Sequence, residues 1–532
     1  MIRPALALAL ALAGAMARAE RILLIPLDSR PAAGQFAQMI ARIAAVDMRM
    51  PPYGALGRFT RAGNPDTILT WLAHQDFSDV TAVIASTDML AYGGLIASRV
   101  NDVPMEQALW RLRKFEEIRR QHPAVRFYAY SAIMRLAPTA TRQSAPWRTY
   151  LERYAEVQDR YSRVKSPADF TTLKNLIRRI PSGEIDRYEA TRQRDHAVQV
   201  ELVHMIGRGT LDYLVLGQDD ARPFGPHVPE TQHLHEVVSG LGVDGKVYFC
   251  EGIDQHANVL LSRALLSQAD WTPRIRVVFA DDAARHRYAY YESRPIEQSL
   301  RDQIIASGAR PVLSDNAYDY ALYVNTPSRR PGPFKTFLDA LGEELDQGFP
   351  VAVADINLAK DGTADPEFYQ DLFQQGRMMR LLSFAGWNTA GNSLGTAIPA
   401  ANVYLLARRI GTDPLARELA QREFLLHRLV NDYGFHKLTR PMAYQMIDEK
   451  LGASRDETGE PLFSDVQEFV RDDLALHLRH TYEEQFQGKR FYAGTRAYEV
   501  SDLTDVKIFL PWPRAYEVRL EFRLRARPMS GE

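Results

Sequence analysis

Two adjacent carboxylates, Asp219 and Asp220, follow a short apolar segment at residues 211–216. This segment has the composition of a strand buried in a parallel sheet. Ligands of α/β sheets and barrels bind outside the carboxyl ends of the strands, so we predict that the pair takes part in chemistry. A cap on the following segment is the alternative role, because aspartate is common in turns.

Further acidic residues stand at the ends of other predicted strands, and a sheet brings such ends onto one edge. These residues are Asp28, Asp88, Glu251, Asp254 and Asp355. Carboxylates crowded into one cleft cannot all ionise, so at least one should have a raised pKa and act as a general acid. An acid with a second carboxylate as base or nucleophile is the working pair of most glycoside hydrolases. We therefore predict as catalytic residues Asp219, Asp220, Asp88 and Glu251.

Polar and aromatic residues of the same segments suit a sugar. Trp387 and Tyr92 offer flat apolar faces for a pyranose ring, while amide and guanidinium groups offer partners for hydroxyl groups. We predict as substrate-binding residues Asp28, Arg30, Tyr92, Arg135, Gln218, Asp254, His256, Trp387, Asn388 and Asn392. Two alternatives remain open. In the first, Arg30 and Arg135 neutralise Asp28 and Asp88 in buried ion pairs. In the second, Trp387 belongs to the core.

Motifs for nucleotide binding are absent from the glycine-rich segment at residues 386–395. This segment has neither a Gly-Lys-Ser/Thr ending nor a G-x-G-x-x-G pattern. Three histidines, His204, His227 and His256, stand near the acidic segments, and mixed His and carboxylate ligands suit Zn²⁺ or Mn²⁺. No close ligand spacing such as H-E-x-x-H accompanies them. We therefore predict no cofactor and no metal, with a metal site as the alternative.

Strand and helix patterns alternate along most of the chain, which is typical of an α/β fold with parallel sheets. A length of 532 residues exceeds what one apolar core supports, so more than one domain is expected. One series of strands and helices covers residues 20–270 and a second covers residues 271–400. We predict two Rossmann-like lobes, with a (β/α) barrel as the alternative for the first lobe.

Three other regions depart from this alternation. Residues 146–207 are charged, tyrosine-rich and helical in pattern, and we predict a helical insertion that forms a lid or specificity wall, or else a packing subdomain. Residues 401–490 predict a helical region. Residues 491–532 alternate apolar and polar side chains and predict a small antiparallel β tail.

The N-terminal residues have the features of a secretory signal peptide. A basic start precedes an apolar segment at residues 5–16 and an A-x-A site, which predicts cleavage after Ala19. The segment is too short to span a bilayer, so we expect a periplasmic or secreted protein with no membrane span. A formal charge of −1 gives no attraction to nucleic acid, and the single cysteine, Cys250, excludes an intramolecular disulfide.

Four spaced motifs resemble the bacterial DUF4127 family. They are LIPLDSRP at residues 24–31, STDMLAYGGLIASR at 86–99, LGQDD at 216–220 and GWNTAGN at 386–392. The resemblance covers nearly all of the chain after the signal peptide and implies a shared fold and site, although the family name records an unknown function. One departure is Gln255, because the resemblance implies an acidic residue after Asp254.

These observations favour an exported hydrolase that acts on glycans, specifically a carboxylate-dependent glycosidase with its site between two lobes. Its partner would be a small-molecule or oligosaccharide substrate. The alternatives are a metal-dependent hydrolase and a non-catalytic periplasmic carbohydrate-binding protein, since two α/β lobes around a cleft also describe ligand receptors.

Overall fold

The structure, a computed structural model, describes residues 20–312, 317–327, 329–358 and 362–529. The predicted signal peptide lies outside the described residues. Among the helices described, none is both long and apolar enough to cross a membrane.

Six parallel strands form the sheet of the first lobe. They are β1 (Arg21–Ile25), β2 (Asp47–Arg49), β3 (Val80–Ser86), β4 (Arg126–Ile133), β5 (Tyr213–Gln218) and β6 (Val247–Glu251). Their spatial order is β2-β1-β3-β4-β5-β6, so β2 and β6 are the edges of an open sheet. The predicted Rossmann-like lobe is therefore confirmed, and the barrel alternative is wrong for the strands that the structure describes.

The second lobe contains a parallel sheet, as predicted, and this sheet has five strands. They are β7 (Arg274–Phe279), β8 (Arg310–Val312), β9 (Tyr320–Asn325), β10 (Val351–Asp355) and β11 (Ser383–Ala385). Their order is β11-β10-β9-β7-β8. Read from β8, this is the 2-1-3-4-5 order with which the first sheet also begins, so the two lobes share a doubly wound topology.

Helices cover both faces of each sheet. Those of the first lobe are α1 (Gln35–Ile43), α2 (Pro65–Ala73), α3 (Thr87–Tyr92), α4 (Leu95–Ser98), α5 (Met105–Gln121), α6 (Arg148–Val164), α7 (Pro167–Ile177), α8 (Glu184–Gly207), α9 (His227–Gly240) and α10 (His256–Gln268). Those that follow are α11 (Ile296–Ala306), α12 (Pro331–Asp346), α13 (Pro366–Gln374), α14 (Ala390–Arg409), α15 (Pro414–Leu429), a π-helix (Val430–Thr439), α16 (Arg440–Asp448) and α17 (Leu462–Gln485). Short 3-10 helices occur at Pro31–Ala33, Tyr53–Leu56, Asp282–His286 and Met378–Arg380.

The strands of the first sheet are apolar throughout because both faces are buried. Ile22 and Leu24 of β1 belong to the core under α1 and α10, whereas Leu23 and Ile25 belong to the core under α5 and α8. Successive side chains of a strand point to opposite faces, so each strand needs apolar residues at every position.

One apolar core joins the two lobes. Helices α10 and α14 contribute to it, together with strand residues of both sheets such as Leu24 and Leu322. Inside this core, the Asn402 side chain donates to Ser262 Oγ at 3.1 Å and accepts from the Tyr320 hydroxyl at 3.0 Å. The lobes are therefore packed against each other through buried side chains.

The predicted insertion is helical and consists of α6, α7 and α8. Leu151, Val157 and Leu173 belong to an apolar cluster of its own. The second half of α8 instead packs on the first sheet through Val203 and Ile206. This long helix is thus also the crossover between β4 and β5.

The tail forms a small antiparallel sheet, as predicted, and this sheet has three strands. Its strands are β12 (Arg490–Ala493), β13 (Arg496–Phe509) and β14 (Arg519–Pro528). The loop between β13 and β14 returns to the first lobe, where Trp512 Nε1 donates to Ser29 Oγ at 2.8 Å. Gln35 Nε2 of α1 also donates to the Leu520 carbonyl at 2.6 Å. The tail is therefore attached next to the end of β1.

Short elements differ from the sequence-based expectations. Strands β8, β11 and β12 were not predicted, because three or four residues are too few to show a period. Helix α13 ends at Gln374, although apolar residues continue to Leu382, because Gly376 adopts a left-handed conformation with φ of 63° that stops the helix.

The first turn of α14 approaches the end of β6 so closely that Gly391 has no room for a side chain. A Cβ there would lie 2.4 Å from the carbonyl oxygen of Glu251. Gly391→Ala should therefore lower the free energy of unfolding by about 1–3 kcal/mol, as measured by urea denaturation. At the control position Gly240 nothing lies within 4 Å of an added Cβ, so Gly240→Ala should be neutral or stabilising by up to about 1 kcal/mol. Equal effects of the two substitutions would contradict this lobe contact.

Candidate active site

A cavity of about 450 Å³ lies outside the carboxyl ends of β1, β4, β5 and β6. Its other walls come from the insertion, the second lobe and the tail. Six of the predicted site residues line it: Arg30, Arg135, Asp219, Asp220, Asp254 and Asn388. A larger groove of about 680 Å³ beside β6 contains only Gln218 among the predicted site residues. We therefore take the cavity as the candidate site.

Arg30 connects the ends of β1 and β6 at the cavity. Its Nη2 donates to Asp28 Oδ2 and to Asp254 Oδ1, both at 2.7 Å. Its guanidinium carbon also lies 5.2 Å from the centre of the Trp512 ring. Burial lowers the pKa of Arg30, but Asp254 and Asp28 outweigh this effect and raise it well above its ordinary value. Arg30 thus forms a buried ion pair and lines the cavity as well.

Asp219 and Asp220 each contact a different arginine. Asp219 Oδ2 accepts from Arg99 Nη2 at 2.5 Å and from Arg99 Nε at 3.1 Å, whereas Asp220 Oδ2 lies 2.5 Å from Arg135 Nη2. Burial favours the neutral form of Asp219, but Arg99 and then Arg135 lower its pKa below the ordinary value. Burial raises the pKa of Asp220, and the charge of Asp219 adds to this effect. The pKa values of the two neighbouring carboxyls are therefore shifted in opposite directions.

Asn388 reaches the cavity from the second lobe. Its N–H donates to the Gly362 carbonyl at 2.9 Å, and its φ of 59° is left-handed, which asparagine adopts more readily than most residues. The side chain accepts from the Tyr516 hydroxyl at 2.9 Å and donates to Asp254 Oδ2 at 3.4 Å. Asn388 therefore joins the second lobe, the tail and the end of β6.

Two further walls come from the insertion and from the loop before α11. Arg148 and Glu152 of α6 line the cavity, so the insertion does form part of its wall. Tyr291 lines it from the loop, with a φ of 64° and 40% exposure, and its carbonyl accepts from the Ala221 N–H at 2.9 Å. A bulky residue at positive φ is strained, and such strain is concentrated at functional sites.

Asp88 lies behind the wall of the cavity. Its Oδ2 accepts from the Ala132 N–H at 3.0 Å, and burial, followed by the charge of Asp195, raises the pKa of Asp88 to about 8. The predicted residue Tyr92 is also buried here, with its ring centre 4.2 Å from the Arg194 guanidinium. Both residues therefore lie behind the residues that line the cavity and do not face it.

Glu251 faces the junction of the lobes and does not line the cavity. Its carboxylate accepts from the Ser293 hydroxyl at 2.6 Å and from the Ser293 N–H at 3.2 Å. The adjacent Glu292 accepts from the Gly391 N–H at 2.5 Å. Burial, and then the charge of Glu251, raises the pKa of Glu292 to about 8. This buried pair of acids therefore connects the first lobe to the start of α14.

Four predicted substrate-binding residues pack inside the protein and away from the cavity. Trp387 packs edge-on against an aromatic ring of α1, with ring centres 5.5 Å apart, so the core alternative describes its packing. His256 is fully buried below β5, and burial lowers its pKa to about 3, which keeps it neutral. Asn392 and Gln218 are also buried. All four stand close to strand ends. Gln218 borders the larger groove beside β6, and the side chains of the other three point into the core.

Residues 391–395 match the G-x-S-x-G pattern of an α/β-hydrolase nucleophile elbow. The matching serine, Ser393, is fully buried in the first turns of α14. Its hydroxyl accepts from the Trp387 N–H at 3.0 Å and donates to the Trp387 carbonyl at 3.1 Å. It therefore fixes the turn before α14 and is not presented to a ligand.

The three histidines considered as metal ligands do not form a cluster. His204 is half-exposed on α8, whereas His227 and His256 are buried at the starts of α9 and α10. Within the described part of the chain, no group of three or more His, Cys, Asp or Glu side chains is arranged to hold a metal ion.

Several residues of the cavity were not predicted from the sequence. They are Arg99, Arg148, Arg222, Tyr291, Arg440, Tyr444, Arg514 and Tyr516. Arg99 belongs to the motif at residues 86–99, so that motif could have identified it as a site residue. The others come from the insertion, the loop before α11, the turn after β5, the C-terminal helices and the tail, where no local pattern connects them to the site.

Fold and cavity together define a two-lobed α/β protein with a ligand-sized site outside the ends of its strands. The chain belongs to the DUF4127 family, described as a protein of unknown function, whose family model matches residues 22–521. The match begins in β1 and ends in β14, so every wall of the cavity falls within it. No curated protein matches the chain.

Asp88→Asn should make stability less dependent on pH. The raised pKa of Asp88, about 8, stabilises the fold fully below the ordinary pKa near 4, and this contribution is lost as the pH rises through about 8. Each unit of raised pKa corresponds to about 1.4 kcal/mol. The variant stays neutral, so it should be more stable than the wild type at about pH 9 in urea denaturation.

At about pH 5 the advantage of Asp88→Asn should shrink, because the wild-type carboxyl is then protonated as well. Asp270→Asn, at an exposed position, is the matched control and should leave the pH profile unchanged. An unaltered profile in Asp88→Asn would mean that Asp88 is ionised in the folded protein.

Proposed function

We propose that the protein is an exported hydrolase that cleaves glycans with the carboxylates of the cavity. The proposal rests on Asp219 and Asp220, which are adjacent at the cavity and whose pKa values their surroundings push apart. Two carboxyl groups with separated pKa values supply an acid and an ionised partner, which is the requirement of glycoside hydrolysis.

Asp220 is the general acid in this proposal. Its side chain is 27% exposed, so it reaches the cavity, and burial raises its pKa above the ordinary value. Asp219 is the ionised carboxylate, because Arg99 holds it through two nitrogen atoms. Asp220 would protonate the oxygen of the leaving group while Asp219 stabilises positive charge on the sugar or activates water.

The rest of the cavity supports a saccharide ligand. A volume of about 450 Å³ accommodates a small oligosaccharide, and sites of this size are typical for small molecules. Arg30, Asp254 and Asn388 offer hydrogen-bond partners for hydroxyl groups. Tyr291 and Tyr516 place aromatic side chains at the wall, where a pyranose ring can pack.

Export belongs to the same proposal. The basic start, the apolar segment and the A-x-A site of residues 1–19 support a cleaved signal peptide. Cleavage after Ala19 would leave Glu20 as the first residue, directly before β1. A periplasmic or secreted hydrolase would meet cell-wall glycans or imported oligosaccharides.

One observation favours the second candidate, a carbohydrate-binding protein without catalysis. Asp219, Asp220 and Asp254 each already contact an arginine. Carboxylates held in this way can accept hydrogen bonds from hydroxyl groups without transferring a proton. Turnover separates the two candidates.

Asp220→Asn should slow the hydrolysis of glycosides with poor leaving groups by about 10²–10⁴-fold, the contribution of a general acid. The loss should be smaller for aryl glycosides whose phenolate leaves without protonation, which a purely structural defect would not produce. In the wild type the rate should fall as the pH rises through the raised pKa of Asp220, because the protonated form is required. The measurement is the rate on a panel of aryl glycosides and peptidoglycan fragments.

Asp219→Asn should also abolish most turnover, whereas the exposed control Asp270→Asn should match the wild type. EDTA should leave the rate unchanged. A correctly folded wild type that cleaves no glycan would contradict the hydrolase and favour the binding protein. Loss of activity on chelation would favour a metal-dependent hydrolase.

A further inference from the structure

Most guanidinium groups at the cavity are matched by carboxylates. Arg30 contacts two aspartates, Arg99 contacts one, and Arg514 Nη2 lies 2.9 Å from a glutamate of the tail. Such pairs compensate the charges that the fold buries, and they leave little positive charge for a ligand.

Arg148 is different, because its charge is not matched in this way. Its Nε donates to the Pro138 carbonyl at 2.7 Å, which fixes the plane of the guanidinium group at the cavity wall. Within the described residues Arg148 forms no ion pair, although the carboxylates of Glu152, Asp456 and Asp220 are near enough to favour its charged form. Burial, and then the charge of Arg135, lowers the pKa of Arg148. Arg135 and Arg148 both line the cavity.

Their surroundings favour an anion at this wall. Arg135 has Asp220 as its ion-pair partner, whereas Glu152 and Asp456 line the same cavity without forming an ion pair with Arg148. Arg148 is also the first residue of α6, a helix of 17 residues whose N-terminal end carries positive partial charge. A planar guanidinium group binds carboxylate or phosphate oxygens through two parallel hydrogen bonds.

We propose that Arg148, with Arg135 beside it, binds an acidic group of the ligand, so that the substrate class is a saccharide bearing a carboxylate or a phosphate. The saccharide part rests on the proposed function, whereas the acidic group rests on the contacts of Arg148 alone. An anion at this position would form the ion pair that Arg148 lacks and would offset its repulsion with Arg135.

The test is calorimetric titration of the full-length mature protein with glucuronate, inorganic phosphate and glucose at low ionic strength. Glucuronate or phosphate should bind at least tenfold more tightly than glucose, and added salt should weaken only the anions. Arg148→Gln should weaken anion binding at least tenfold and leave glucose unaffected. Arg148→Lys should retain part of the preference, because the charge remains. Arg113→Gln, on the exposed face of α5, is the matched control and should behave as the wild type.

The two anions separate the sources of the acidic group, since tighter glucuronate binding indicates an acidic sugar and tighter phosphate binding indicates a phosphorylated one. Three results would overturn the inference: equal affinity for glucuronate and glucose, no binding of either anion, or an anion preference that persists in folded Arg148→Gln. Anion binding without turnover of any glycan would contradict the hydrolase alone. Turnover of neutral glycans without an anion preference would contradict this inference alone.

Discussion

The buried charge of Arg30 has to be compensated inside the protein, and this requirement ties three parts of the chain together. Its guanidinium group donates to Asp28 after β1 and to Asp254 after β6, and it lies against the Trp512 ring of the tail. Removing one partner of a buried ion pair typically costs about 3–5 kcal/mol. The ends of β1 and β6 and the tail loop are thereby held in one arrangement, on which the geometry of the cavity depends.

The class of fold was predictable because strands buried on both faces are continuous apolar segments, as in β5 and β9. The strand order common to both lobes was not predictable. It depends on which apolar faces pack together, and no repeat in the sequence records it. Very short strands such as β8 were missed because their three residues contain no period. Gly376 ends α13 through its left-handed backbone conformation. The apolar residues after it continue a helical pattern, so the pattern alone does not show this end.

For the site, the rule that ligands bind at strand ends located the cavity but did not decide which side chains face it. Asp219 and Asp254 line the cavity, whereas Trp387 and His256, equally close to strand ends, point into the core. A local pattern shows where a residue lies along the chain. It does not show in which direction the side chain points from the turn that follows a strand. Arg148 and the tail residues were missed for another reason, because their contacts span long separations that only the assembled fold reveals.

The shared core also bears on how a ligand reaches the site. Receptors that close around a ligand rely on two lobes that rotate about a hinge. Here α10 and α14 lie in one apolar core with strands of both sheets, and Gly391 touches the backbone end of β6 without space for a methyl group. Separating the lobes would expose this core at about 25 cal/mol per Å² of apolar surface. The cavity is therefore preformed, and any rearrangement on binding is confined to its outer walls, such as the insertion and the strained loop at Tyr291. In a preformed site, arginines that are held by carboxylates are already oriented before the ligand binds. Such electrostatic preorganisation serves the cleavage of a ligand as well as its binding.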